Sequence, residues 1–331
     1  MQRQQFADRC RGALLGTALG DLLGAPVEGW TASEIQVVYG HPPRPLELLA
    51  ASGGRYTDDT QMTLATLRSL LRCAAVDGAD CARSCAAAFD ADRRYGRSAT
   101  AILTAIRDGA DPRRTARLLF PQGSWGNGAA MRIAPVGLYC GHLPPQQLRP
   151  RIADAVCATH DHPEAVDAAL VQAMAIGHLS RVAIGQPVQT EHLMKGLIAA
   201  CDDAALTFAL QKTIELLQTK ADALEAAEAL GRGVRSSESV PLALFVALRY
   251  LDDPTTALRA AVGCGGDTDT VAAMTGALVG ALNGADCFPA PWHAALERGA
   301  NGYDALLVGA DALAGLVVQA GLFVDFYGVI G

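Results

Sequence analysis

The chain has 331 residues, half of them apolar and only 5% aromatic, and its 27 Lys and Arg against 34 Asp and Glu leave a net charge of −7. That size and apolar share suffice for a substantial buried core, while the scattered basic residues exclude the electrostatic footprint that a nucleic-acid backbone requires. Nine cysteines, at positions 10, 73, 81, 85, 140, 157, 201, 264 and 287, form no CxxC pair and suit reduced thiols in a cytoplasmic protein. No signal-peptide core follows Met1, and the most apolar later runs are interrupted by Asn283 or by Gln319 and Asp325, so no membrane role is expected.

Apolar residues recur at i, i+3, i+4 and i+7 over 8–24, 58–75, 81–90, 98–108, 164–180, 203–217, 222–230, 239–251, 254–262, 268–283 and 304–320. No train of alternating strands and no fixed repeat accompanies them, so an all-α, many-helix fold is predicted. Pro and Gly cluster in loops at 39–57, 109–128, 140–150 and 231–238, none of them a flexible linker, and one domain is expected over 1–331. Gly12, Gly16, Gly20, Gly276 and Gly280 lie inside predicted helices, where each costs about 1 kcal/mol against alanine, and close helix contact is the expected compensation.

In chain order, the first helix ends in Gly20-Asp21-Leu22-Leu23-Gly24 and leads to Glu28, and the second opens on Tyr56-Thr57-Asp58-Asp59-Thr60. Near the far end of the chain, Gly263-Cys264-Gly265-Gly266-Asp267-Thr268-Asp269-Thr270 opens another. Residues i and i+2 of a regular helix point about 200° apart, so Asp267 and Asp269 can face one point only at its turning start. Capping by Thr268 or Asp269 is one reading of this segment. The other is a hard-cation site: if Glu28, Asp58, Asp59, Asp267 and Asp269 converge, about five negative charges meet, and two divalent ions would offset roughly four.

Six motifs carry a resemblance. CRGALLGTALGDLLGAPVE (10–28), YTDDTQMTLA (56–65), GSWGNGAAMRIAPVGL (123–138), THDHPEAVDAAL (159–170), SESVPLALFVAL (237–248) and GGDTDTVAAMTGALVGALNG (265–284) resemble, in order, the ADP-ribosylglycohydrolase family. The resemblance implies a single-domain orthogonal multi-helix bundle with a binuclear metal cleft holding two magnesium or manganese ions. It implies Thr57, Asp58, Asp59, Asp267, Asp269 and Thr270 as metal ligands, with Glu28 beside them as the proton-transfer group and a further metal ligand. It further implies substrate contacts from Gly123, Ser124, Trp125, Gly126, Asn127, Gly128 and His160, with Trp125 against the adenine.

Gly96 belongs to a segment that departs from the pattern. Where relatives carry Arg-Gly-Tyr-Gly followed by a small residue and Gly, this chain reads Arg93-Arg94-Tyr95-Gly96-Arg97-Ser98, and Arg94 or Arg97 can supply charge where backbone would approach a diphosphate. His162 is expected to be structural, and Glu238 a cap or a support for the site. The implied activity is release of ADP-ribose from an acceptor, with the motifs closer to the branch acting on serine, poly-ADP-ribose and O-acetyl-ADP-ribose than to the arginine-directed one. An arginine-directed enzyme, a binuclear phosphohydrolase releasing AMP from ADP-ribose, and a non-catalytic ADP-ribose-binding relative are the competing readings.

Overall fold

A computed structural model describes residues 3–322; the remaining ends of the expected 1–331 domain, Asp325 among them, lie outside the described residues. These residues form seventeen α-helices joined by turns and short 3₁₀ segments, with no β-strand among them. Two isolated antiparallel bridges, Thr31 with Gly265 and Gly126 with Arg235, tie loops together beside the acidic segments.

The organising contact is a seam between the N-terminal helix Arg3–Gly24 and the helix Thr268–Asn283. A Cβ on Gly12 would overlap the backbone of Gly280, on Gly16 that of Gly276, on Gly20 that of Ala272 and on Gly24 that of Asp269. The pairing runs antiparallel at four-residue intervals, one face of an α-helix. Missing side chains let the two backbones touch, so the helix-propensity cost of these glycines is offset by close packing.

Thr268–Asn283 is buried on nearly every side, with Val271, Ala272, Leu278, Val279 and Ala281 in the core, as a central helix must be. Ser236–Arg249, Pro254–Gly263 and Pro163–Leu179 pack around it, and Tyr303–Gln319 covers the N-terminal helix. A smaller apolar cluster, including Met62, Cys85, Ile102, Leu103 and Met131, joins Asp58–Cys73 to Gly78–Ala88 and Arg97–Arg107. All nine cysteines are free thiols. No described helix is long and apolar enough to cross a membrane.

Each periodic segment named above is a helix, with ends displaced by at most three residues except at the N-terminal helix, which begins at Arg3, five residues before its expected start. The loops need correction. The stretch 39–57 contains the helix Pro45–Ser52, and 140–150 contains the start of Pro145–Val156; both open on proline, which is tolerated in a first helical turn because its missing N–H would be unpaired there. Ala32–Tyr39, Ala134–Cys140, Thr190–Ala199 and Ala290–Ala295 also went unforeseen, being only six to ten residues long and too short to establish a period.

Candidate active site

The seam delivers the end of the N-terminal helix to the start of Thr268–Asn283. Beyond Gly24 the chain makes a 3₁₀ turn, Ala25–Val27, that ends at Glu28. The next residues are pinned to the opposite loop, where the Gly29 amide donates to Gly266 O and the Gly266 amide to Trp30 O, both at 2.8 Å. Gly265 and Gly266 sit at φ +73° and +77°, and a Cβ on either would meet backbone, so glycine is required at both. Carboxylate oxygens of Glu28, Asp267 and Asp269 consequently lie within 4.8 Å of one another.

Asp267 is the N-cap residue of its helix, but its side chain makes no capping bond. It accepts instead from Asn127 Nδ2 at 2.5 Å. Thr268, expected as a cap, donates its hydroxyl to Gly24 O at 2.8 Å and so fastens the seam. Asp269 accepts from the Thr270 amide at 2.9 Å through Oδ1.

At the other acidic start Thr57 is the N-cap, with a long 3.5 Å bond from the Asp59 amide. The stronger support comes from the fully buried Asp21, which accepts from the amides of Thr57 (2.9 and 3.1 Å) and Thr60 (3.0 Å) and from the Thr60 hydroxyl (2.5 Å). Asp58 and Asp59 are thereby released from capping. Asp59 Oδ2 accepts from Thr57 Oγ1 at 3.2 Å and from Thr270 Oγ1 at 3.4 Å, and this last contact joins the two acidic starts directly. Asp59 Oδ1 is buried with no protein partner.

Such crowding acts on the protons. Burial first, then the charges of Asp21, Glu28 and Asp267, hold Asp58 well above the ordinary carboxylate range. Asp59 and Asp269 are raised in the same way, by burial and then by neighbouring carboxylates, and Asp267 and Asp21 are raised chiefly by burial. Glu28 is raised by burial and Asp267, against the opposing pull of Arg94 3.6 Å away. A cluster of oxygen donors that repel one another, with an unpaired buried oxygen among them, fits a hard divalent cation.

The glycine-rich loop lies against this cluster. Its Trp125 O accepts from the Ser236 amide at 3.1 Å, and the Asn127 amide donates to Val234 O at 2.9 Å, so Asn127 faces Asp267 while the 45% exposed Trp125 faces outward, the Arg235 guanidinium 5.7 Å from its ring centre. Ser124 Oγ accepts from the Gly126 amide at 3.2 Å. Gly123 is at φ +83°, and a Cβ on it would strike Asp161 and His162. A Cβ on Gly128 would come within 2.8 Å of the His160 ring, so that glycine keeps imidazole and loop in contact.

His160 Nδ1 is 2.8 Å from Thr159 Oγ1, which already accepts from Arg132 Nη2 at 2.6 Å. The same hydroxyl lies 3.4 Å from Val156 O, and the Nε2 edge of the ring faces Gly126 and Gly128 of the loop. Burial, with Arg132 adding, lowers the imidazole to about 3, so it is neutral at physiological pH. His162 caps Pro163–Leu179, accepting from the Glu164 amide at 3.2 Å, and Glu238 accepts from the Gly233 amide at 3.0 Å, bracing the turn beside Arg232. Gly96 is the exposed N-cap of Arg97–Arg107 with open space at its Cβ position.

The structure thus brings Glu28, Asp59, Asp267, Asp269, Thr57 and Thr270 into one neighbourhood, with Asp58 among the charges that act on it and the 123–128 loop alongside. Sequence reasoning passed over Asp21. Its signal was a lone aspartate in an otherwise apolar, glycine-notched helix, which demands a buried partner.

An all-α protein with an oxygen-donor cluster at two helix starts and a glycine-rich loop beside it defines a class that comparison makes specific. The sequence profile described as ADP-ribosylglycohydrolase matches residues 2–321, and the chain belongs to that family. It is 31% identical over 333 residues to ADP-ribosylhydrolase ARH3 of Homo sapiens, covering 87% of this chain and 89% of that one. It is likewise 31% identical over 301 residues to the ADP-ribosyl-[dinitrogen reductase] glycohydrolase of Rhodospirillum rubrum, covering 88% and 90%. A solved structure titled ADP-ribosylglycohydrolase-related protein complex superposes with a TM-score of 0.72 at 27% identity, over 95% of this chain and 99% of its own.

Proposed function

We propose that this chain, acting as one domain in the cytoplasm, is a binuclear magnesium- or manganese-dependent ADP-ribosylhydrolase that releases ADP-ribose from O-linked acceptors: serine, poly-ADP-ribose or O-acetyl-ADP-ribose. The observation that carries the metal reading is the meeting of two acidic helix starts at Asp59 and Thr270, with Asp59 Oδ1 buried and unpaired. Thr57, Asp58, Asp59, Asp267, Asp269 and Thr270 would hold the ions, with Glu28 at their edge. Bound divalent ions supply charge neutralisation for this cluster and acidify water for attack on the glycosidic carbon.

The chain's own groups account for the rest. Glu28 is the most solvent-accessible carboxylate of its triad, with 41% of its side chain exposed, so it is the one able to exchange protons with a leaving group and with water. Its raised proton affinity suits a group that alternates between acid and base. Asn127, through Nδ2, orients Asp267 and favours its charged form against the opposing effect of burial. Neutral His160 presents its Nε2 edge to the loop, where Gly123, Ser124, Gly126 and Gly128 leave backbone within reach of ribose or diphosphate, and Trp125 offers an exposed face to the adenine. Gly96, an exposed N-cap with open space at its Cβ position, would add a backbone approach to the diphosphate.

The preference for O-linked acceptors rests on the Arg-x-Tyr-Gly, Gly-Ser-Trp-Gly-Asn-Gly and Ser-Glu-Ser-Val-Pro elements. A product assay with magnesium on serine-linked and arginine-linked ADP-ribosyl peptides tests the whole reading. Free ADP-ribose from the serine peptide is the expected result. Release from the arginine peptide alone would reassign the linkage, AMP from ADP-ribose would indicate phosphohydrolysis, and binding without turnover would indicate a non-catalytic relative.

A further inference from the structure

Arg94 stands at φ +59°, in the left-handed region that glycine adopts without strain. Its neighbours on both sides are anchored toward the helix Asp58–Cys73. Arg93 is buried, donating from Nη1 to Tyr56 O at 2.9 Å, pairing with both Glu297 oxygens at 2.5 and 2.9 Å, and lying 4.1 Å over the Tyr56 ring. Tyr95 donates its hydroxyl to Gln61 Oε1 at 2.8 Å. Arg94, between them, points the other way, donating from Nη1 to Ala25 O and standing 3.6 Å from Glu28 Oε2. The hydrogen bond and the ion pair thus fall on the first residue of the Ala25–Val27 turn and on the residue that ends it.

We propose that Arg94 is a positioning residue for Glu28. A single guanidinium grips both ends of the 25–28 turn and holds the Glu28 carboxylate beside Asp267 and Asp269, while Arg93 fixes the loop from which it reaches. The strained backbone is retained because glycine, which would relieve it, has no side chain to make this grip. This inference rests on the reading of Glu28 as the proton-transfer group.

The test uses the full chain and the variants Arg94→Gly, Arg94→Ala and Arg94→Lys. In metal-free protein, hydrogen exchange at the Glu28 and Trp30 amides, which close the turn onto Ala25 O and Val27 O, should quicken about tenfold in the Gly and Ala variants, the scale of one charge-assisted hydrogen bond, and less in the Lys variant. With metal, kcat should fall by about tenfold in Gly and Ala with KM within about twofold, and Lys should recover much of it. Arg94→Gly should unfold no earlier than the parent, because the left-handed position suits it, so its lost turnover is not lost folding. In a Glu28→Gln background, Arg94→Ala should cause no further loss of kcat.

Unchanged exchange would overturn the proposal. So would a rise in KM at constant kcat, which would make Arg94 a substrate contact, or a full additional loss in the Glu28→Gln background. If the parent hydrolyses no ADP-ribosyl substrate, the reading of function fails instead, and the exchange measurement still decides whether Arg94 grips the turn.

Discussion

At the start of Asp58–Cys73 the amides of Thr57 and Thr60 are satisfied by the buried carboxylate of Asp21; at the start of Thr268–Asn283 the Asp267 amide goes to Arg232 O and the Asp267 side chain to the neutral amide of Asn127. One start is braced by an acid and the other by an amide and backbone. Asp21 does the capping that Asp58 and Asp59 would otherwise do, whereas at the second start Asp269 Oδ1 itself accepts from the Thr270 amide and Asn127 fixes the Asp267 side chain. The two braces differ in charge. Asp21 adds to the repulsion on Asp58 and Asp59, which are driven well above their ordinary range, whereas Asp267, with Asn127 donating to it, is raised less far. Asp269, at the amide-braced start, is also driven well above that range, so two segments that read alike as sequence are braced differently and still both call for a compensating cation.

The sharpest break would come from deleting one ligand at each start. Asp59→Ala and Asp269→Ala are each expected to lower metal content by at least one ion per chain and to abolish measurable turnover, read by elemental analysis of dialysed protein and by ADP-ribose release. If only one variant loses metal, the two starts do not form one centre. Glu28→Gln should reduce turnover by roughly 10²–10⁴ with metal content and ADP-ribose affinity nearly unchanged, because the amide keeps the shape and loses the transferable proton. A parallel fall in metal content would attach Glu28 to the amide-braced start as a ligand.

Removing the braces should separate the two halves. Asp21→Ala leaves two buried amides and a hydroxyl without their acceptor, and Asn127→Ala removes one donor from Asp267; each lost partner is worth about 1–3 kcal/mol, with the larger cost at Asp21. Denaturant unfolding in EDTA checks this order, and equal costs would mean that relief of repulsion at Asp21 cancels its lost hydrogen bonds. Trp125→Ala, which leaves both bracing side chains in place, should weaken ADP-ribose binding by roughly 1–3 kcal/mol without altering metal content, as calorimetry would report.

The smallest effect is on pH. Asp58, Asp59 and Asp269 bind protons more tightly folded than unfolded, so their contribution to stability is complete below the unfolded value of about 4 and is lost as pH rises through their raised folded values. The gain in melting temperature on adding magnesium to metal-free protein should therefore grow with pH above about 4. A gain that is flat across that range would remove these carboxylates from the metal's surroundings.

The long helices were legible because their apolar residues repeat over several turns, and the seam because glycines at four-residue spacing inside such helices call for close contact. Asp267 and Asp269 were legible from their i, i+2 spacing beside three glycines. Asp21 was not, since its partners at Thr57 and Thr60 lie on another helix and nothing local marks an aspartate as an acceptor for remote amides. Asn127 was assigned to the substrate loop, and its grip on Asp267 needed the fold to bring together residues from distant parts of the chain. The substitution at Arg94 was visible as a departure from glycine, but its reach to Ala25 and Glu28 was not.

Gly12 and Gly280 meet roughly 18 Å along the helix axis from Gly24, twelve residues at 1.5 Å each, yet they belong to the same rigid joint that sets Glu28 beside Asp269. The glycine seam works as a lever arm. A methyl group inserted at its far end would act as a wedge, tilting one rod against the other and displacing the carboxylates at the near end by an amount that grows with distance from the fulcrum. Damage at Gly12 is thus expected to reach the chemistry as misalignment, in a molecule that otherwise still folds, and so to detune the site without touching any residue in it.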